Sequence, residues 1–298
     1  MGYNKDVFEN YKATKKDLEA IEEGISAVWR KELDFVFKEK EVFDRTSIIS
    51  FDSQFIYLWS KHKFSGLKRK PASLPEYYFS KIPHQLSFVD EDYAGWRASL
   101  FRNDFYRLLP KLFVTESQFA YPVISGGLLA PFIKIHQESP YPLDAYNTRE
   151  SFLATIVHEF GHIYWDQYKL WWYSNKKENL HYLNSALKLY QGKKIPRLRL
   201  KFPTPYGIHE LYAFCVEYEA SSIFWPNHQQ NLNIFIKYRL KELIKDEKKK
   251  DLEREDSVLE PSRNPHDLAF VFGKIILNRY PKTWPQILTS PKILRLTI

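Results

Sequence analysis

The sequence is poor in cysteine: Cys215 is alone among 298 residues, so no disulfide can form within the chain. A lone thiol fits a reducing compartment. Glycine is scarce at ten residues, while aromatics reach 17%, a balance that predicts a helix-rich fold packed around aromatic side chains. No apolar run approaches the roughly 20 residues that span a bilayer, so no membrane partner is expected. The first residues, MGYNKDVFENYKATKKD, lack a hydrophobic stretch after a basic one, and Asp6 stands where a myristoylation motif wants Ser or Thr. The expectation is a cytoplasmic protein, with leaderless export left open.

Apolar residues make up 44% of the chain and charged residues 27%, the balance of a soluble globular protein. The net charge is +8, with basic residues concentrated in KHKFSGLKRK (61–70) and GKKIPRLRLK (192–201). Such clusters can serve acidic substrates or nucleic acid, but no nucleic-acid motif accompanies them, so solvated loops and an exposed strand face are expected. The run at 241–260 mixes both signs and reads as an exposed helix face.

Thr14, with Asp17 three residues on, is a helix start, and Leu18, Ile21, Ile25 and Val28 then recur at helical spacing. That helix is expected to run to about Lys38. Pro71, Pro75 and Pro83 break the following region into short pieces. A helix is expected from Tyr93 to Leu109, then extended segments in KLFVTES and at 126–139. Beyond the motif described next come a short helix near 179–191, an alternating strand in IPRLRLKFP, and helices at 208–224, 229–254 and 265–280. The expected organisation is a mainly helical region at 1–110 packed on the core, and a region at 111–298 that carries the motif and the C-terminal helices, together one continuous α+β domain.

The chemistry concentrates in TIVHEFGHIYWDQY (155–168). Asn147 and Glu150 form a capping pair ahead of it. Leu153, Ile156, Val157, Phe160, Ile163 and Tyr164 make one broad apolar face, and Thr155, His158, Glu159, His162 and Asp166 fall opposite. Four-residue spacing points both imidazoles the same way, as a shared zinc ion requires. Glu159, beside the first histidine, can reach a metal-bound water rather than the metal, the arrangement of a general base. Gly161 costs helix stability and suggests a close backbone approach.

Two histidines leave a catalytic zinc one protein ligand short. Positions 165 and 168 are Trp and Tyr, so a third histidine six residues past the second is absent. Asp166 lies one turn beyond His162, a rise of roughly 6 Å that carries it past the metal. The segment TPYGIHELYAFCVEYEASSIF offers Glu210, with Ala213 one turn on where helices could pack closely; Glu217 and Glu219 are the alternatives.

HEFGH followed by Tyr-Gly-x-x-Glu-Leu-Tyr-Ala resembles the gluzincin metallopeptidases, and is most similar to the anthrax lethal factor type of protease domain. The resemblance covers about 148–222. It implies a zincin-like α+β domain with a small sheet, an active-site helix and a glutamate-bearing helix, here with helical extensions. It implies His158, His162 and Glu210 as zinc ligands, Glu159 as base, and Tyr206 as the phenol that steadies the tetrahedral intermediate. His209 is the alternative oxyanion donor, because Tyr206 stands closer to Glu210 than its counterpart does. Phe214 replaces a frequent second acidic residue, so Glu217 or Asp166 is expected to orient the imidazoles.

The implied activity is hydrolysis of a peptide or protein substrate, laid along a strand at 129–137, with Arg197, Arg199 and Lys201 favouring acidic flanks. The alternative is a non-catalytic zinc-site protein acting in protein or nucleic-acid binding. His266 reads as a structural residue of a C-terminal helix.

Overall fold

Thr14 and Asp17 close the start of the first helix in the computed structural model, which describes residues 13–45, 47–51, 54–61, 68, 70–72, 74, 76–83, 148–166, 205–248 and 265–289. In α1 (Lys15–Val28) the Thr14 N–H donates to the Asp17 carboxylate at 2.7 Å, and the Asp17 N–H donates back to the Thr14 hydroxyl at 3.4 Å. The helix ends ten residues earlier than Lys38. Ile21, Ile25 and Val28 keep the three-to-four spacing, but the next aliphatic residue is Leu33, five on, and Glu32 occupies the place the stripe needs. The Trp29 N–H therefore turns back to the Ser26 carbonyl at 3.1 Å, and short 3-10 turns follow at Lys31–Leu33 and Lys40–Arg45.

The proline-broken region holds a four-stranded antiparallel sheet. Its strands are β1 (Ser47–Phe51), β2 (Phe55–Ser60), β3 (Lys70–Pro71) and β4 (Tyr78–Pro83), in the order β1-β2-β4-β3. Tyr57, Leu58, Trp59 and Ser60 are all buried, so β2 is covered on both faces. Trp59 packs on Phe79 of β4 with ring centroids 5.2 Å apart. Pro71 and Pro83 sit in the edge strand and at a strand end, where a missing N–H costs no interior ladder bond.

Two compact units contain these elements. The first comprises Met1–Lys31 and Glu39–Tyr164, and the second Glu32–Lys38 and Trp165–Ile298. In the first, the end of α1 and α2 (Arg149–Asp166, whose last two residues belong to the second unit) are joined by an aromatic series. Trp29 meets Phe43 edge-on at 6.1 Å, and Phe43 meets Phe160 edge-on at 5.0 Å. Lys61 spans Asp44 (2.7 Å) and Glu76 (3.0 Å) over the face of Trp29.

The described part of the second unit is mainly helical. It contains α3 (Pro205–Phe224), α4 (Pro226–Lys248), α5 (Pro265–Arg279) and α6 (Trp284–Thr289), the last of which the sequence pattern does not announce. α3 begins three residues before Ile208, because proline is well placed at a first helical position. For the same reason Pro226 both follows the end of α3 and opens α4. Gly273 of α5 lies directly against the ring of Phe214, and Cys215 is also near it. Tyr212 packs on Trp284 at 5.2 Å and donates to the Val36 carbonyl at 3.0 Å. Among the described residues no helix is long and apolar enough to cross a membrane. The boundary expected near 110, the segments expected at 93–109, 111–139 and 179–191, and the strand with Arg197, Arg199 and Lys201 lie outside the described residues.

Candidate metal centre

Thr148 and Ser151 pair reciprocally at the start of α2, while Asn147, and with it the expected pairing to Glu150, lies outside the described residues. The Ser151 N–H donates to the Thr148 hydroxyl and the Thr148 N–H donates to the Ser151 hydroxyl, both at 3.1 Å. Ser151 stands at the third position of this box. The apolar face is buried as its spacing predicts: Leu153, Ile156, Val157, Phe160, Ile163 and Tyr164 are each at most 2% exposed.

The polar stripe opposite is also enclosed. His162 is 1% exposed and Glu159 8%, while Thr155 and His158 are half-buried. The Thr155 hydroxyl turns back to the Ser151 carbonyl at 2.8 Å, which satisfies it within the helix. The two imidazoles meet through like atoms, His158 Nε2 and His162 Nε2, 3.1 Å apart, with their rings nearly perpendicular at 78°. His158, Glu159 and His162 each offer a ligand atom, and the three atoms lie within 4.8 Å of one another.

This donor set fits a zinc ion. Two imidazole nitrogens bound to one tetrahedral zinc at the usual bond lengths stand about 3.3 Å apart, close to the spacing found here. Facing lone pairs at this separation repel unless a proton or a cation lies between them. Helical geometry sets the pair, since residues four apart rise only one turn.

Glu210 does not open its helix. It is the sixth residue of α3, 2% exposed, in the second unit. Tyr206 and His209 lie in the first turns of α3, and His266 in the first turn of α5; their side chains lie outside what is described, as does that of Asp166. Ala213 is fully buried. Phe214 fills the core with an edge-on contact to Phe270 at 5.3 Å, which accounts for a ring where the resemblance expects an acid.

Glu217 has a partner that the motifs did not reveal. Its Oε1 lies 2.9 Å from His228 Nε2, and both side chains are fully buried. The two residues stand eleven apart across the Trp225 break, so no local spacing signals the pair. Glu219 is half-buried. Burial raises its carboxyl above the usual range, opposed by the Trp284 indole and by Lys274 and Lys282. Cys215 is fully buried, which pushes its thiol well up and leaves it protonated. No protein-family model, curated protein or solved structure matches the chain.

Proposed function

We propose that the protein is a zinc-dependent metallopeptidase of gluzincin type, built on a zincin-like α+β domain. The observation that carries this reading is the approach of His158 Nε2 and His162 Nε2 to 3.1 Å inside a buried helix, with the Glu159 carboxylate beside them.

In this reading His158 and His162 hold the metal, and Glu210 is the third ligand, on the strength of the sequence pattern and of its burial. Bound zinc would acidify a water and polarise the scissile carbonyl. Glu159 takes the proton from the attacking water and passes it to the nitrogen of the leaving amine as the C–N bond breaks. Tyr206 or His209 donates a hydrogen bond to the oxygen on which negative charge develops. The substrate is a peptide or protein.

Metal content tests the reading directly. Protein purified without added zinc should carry close to one zinc per chain by mass spectrometry, and Glu210→Ala should lose it. A well-folded preparation with no tightly bound metal sinks both the site and the enzyme.

A further inference from the structure

Three consecutive residues of α1 reach three different partners. The Glu22 carboxylate accepts from the Trp59 indole of β2 at 3.0 Å. The Glu23 carboxylate accepts two bonds from the Arg149 guanidinium, at 2.6 and 3.2 Å, at the first residue of α2. Gly24 lies against the middle of α2: a Cβ there would stand 2.7 Å from Ile156 Cδ1, 3.1 Å from Ile156 Cβ and 3.3 Å from Ile156 Cγ2. Successive helical residues point about 100° apart, so one turn of α1 is pinned to the sheet, to the start of α2 and to its body.

Gly24 is costly in a helix interior, where alanine would be more stable. Its use here has a reason in the contact. Ile156 is β-branched, so its Cβ and Cγ2 cannot swing away as a flexible tip could. Any side chain at 24 must therefore displace α2 or α1. Ile156 lies two residues before His158, on the opposite side of the same helix.

We propose that Gly24 is a positioning residue for the metal centre, and that α1 is a permanent brace of the site helix rather than a detachable segment. The proposal rests on the zinc-peptidase reading. The two histidines move together with α2, and a third ligand must come from outside that helix. A shift of α2 by a few tenths of an ångström changes the distance to any such ligand, and metal sites respond to small errors of this kind.

The test is zinc affinity of the full chain, measured by competition with a chromophoric chelator well below the melting temperature, with cobalt substitution reporting coordination by its visible spectrum. Gly24→Ala is expected to weaken zinc binding about tenfold and to alter the cobalt spectrum at unchanged far-UV circular dichroism. Adding Ile156→Ala, which removes Cγ1, Cδ1 and Cγ2, should recover most of that affinity; a residue that served stability alone would show changed melting with unchanged affinity. Arg149→Gln, a surface change that leaves the core intact, should weaken binding about two- to threefold by releasing the start of α2. A folded Gly24→Ala chain that binds zinc as the parent does overturns the proposal and leaves the metal reading standing. If Gly24→Ala does not fold, unchanged affinity in Arg149→Gln overturns it equally. A parent chain that binds neither zinc nor cobalt overturns both.

Discussion

The two units each bury histidine beside glutamate, and they do so in opposite ways. In the second unit Glu217 and His228 face each other as acceptor and donor at 2.9 Å, fully enclosed, and answer each other's needs. In the first, two imidazoles present the same atom to each other at 3.1 Å, while a carboxylate stands in the same cluster. A complementary pair is a finished piece of structure. A pair of like atoms is finished only when something positive is shared between them. The residue types are alike in both places although His158 is less buried, so in the proposed reading the sense of the pairing is what distinguishes a brace from a binding site.

Perturbing the two clusters should separate activity from stability. Glu159→Gln keeps the shape of the side chain and removes its basicity, so cleavage should fall about 100- to 10,000-fold while zinc content and melting temperature stay close to the parent. Unchanged cleavage would end the assignment of Glu159 as base. His228→Ala should act in the reverse sense. It strands the Glu217 carboxylate in the core and should cost about 3 kcal/mol in urea unfolding, with zinc content unaltered. If zinc were lost from a folded His228→Ala chain, the closed pair would belong to the metal centre after all and the contrast would collapse.

The smallest effect sharpens the contrast within a single helix. Glu219, two residues beyond Glu217, has weaker partners and a raised carboxyl pKa. A group raised on folding contributes stability that is complete below its unfolded pKa and is lost as pH climbs through the folded value. Glu219→Gln has no proton to lose. Its stability should match the parent in acid and exceed it at neutral pH by less than about 1 kcal/mol, read from unfolding curves across that range. A neutral-pH difference of the opposite sign would show that Glu219 is better partnered than its surroundings indicate.

Local chemistry was the legible part of the sequence. Thr14 with Asp17, the apolar stripe of α2 and the four-residue histidine spacing depend on neighbours within one or two turns, and each is found. The end of α1 was misread because Leu33, Val36 and Phe37 resumed an apolar pattern after a slip of one residue, and that slip was the signal. The sheet was hidden because its strands are short, β3 has only two residues, and Pro71 and Pro83, which looked like breakers, sit at its margins. Glu217 with His228 depends on a meeting of two helices that no spacing rule contains. Gly24 could have been noticed, since a glycine between Glu23 and Ile25 in a strong helix calls for a reason.

The path of the chain has a consequence for how the molecule is made. Residues 32–38 belong to the second unit although they are translated more than a hundred residues before most of it. Their closure waits on Tyr212, 176 positions downstream of the Val36 carbonyl it binds, just as Trp165 waits on Leu288. A nascent chain emerging from the ribosome can set α1 and the sheet early, but must hold Leu33, Val36 and Phe37 in reserve until Tyr212 and the helix that carries it have been made. Contacts this distant in sequence slow folding, so the helical unit should complete itself late, making the interval before Tyr212 and Leu288 arrive the stage at which a chaperone would matter most.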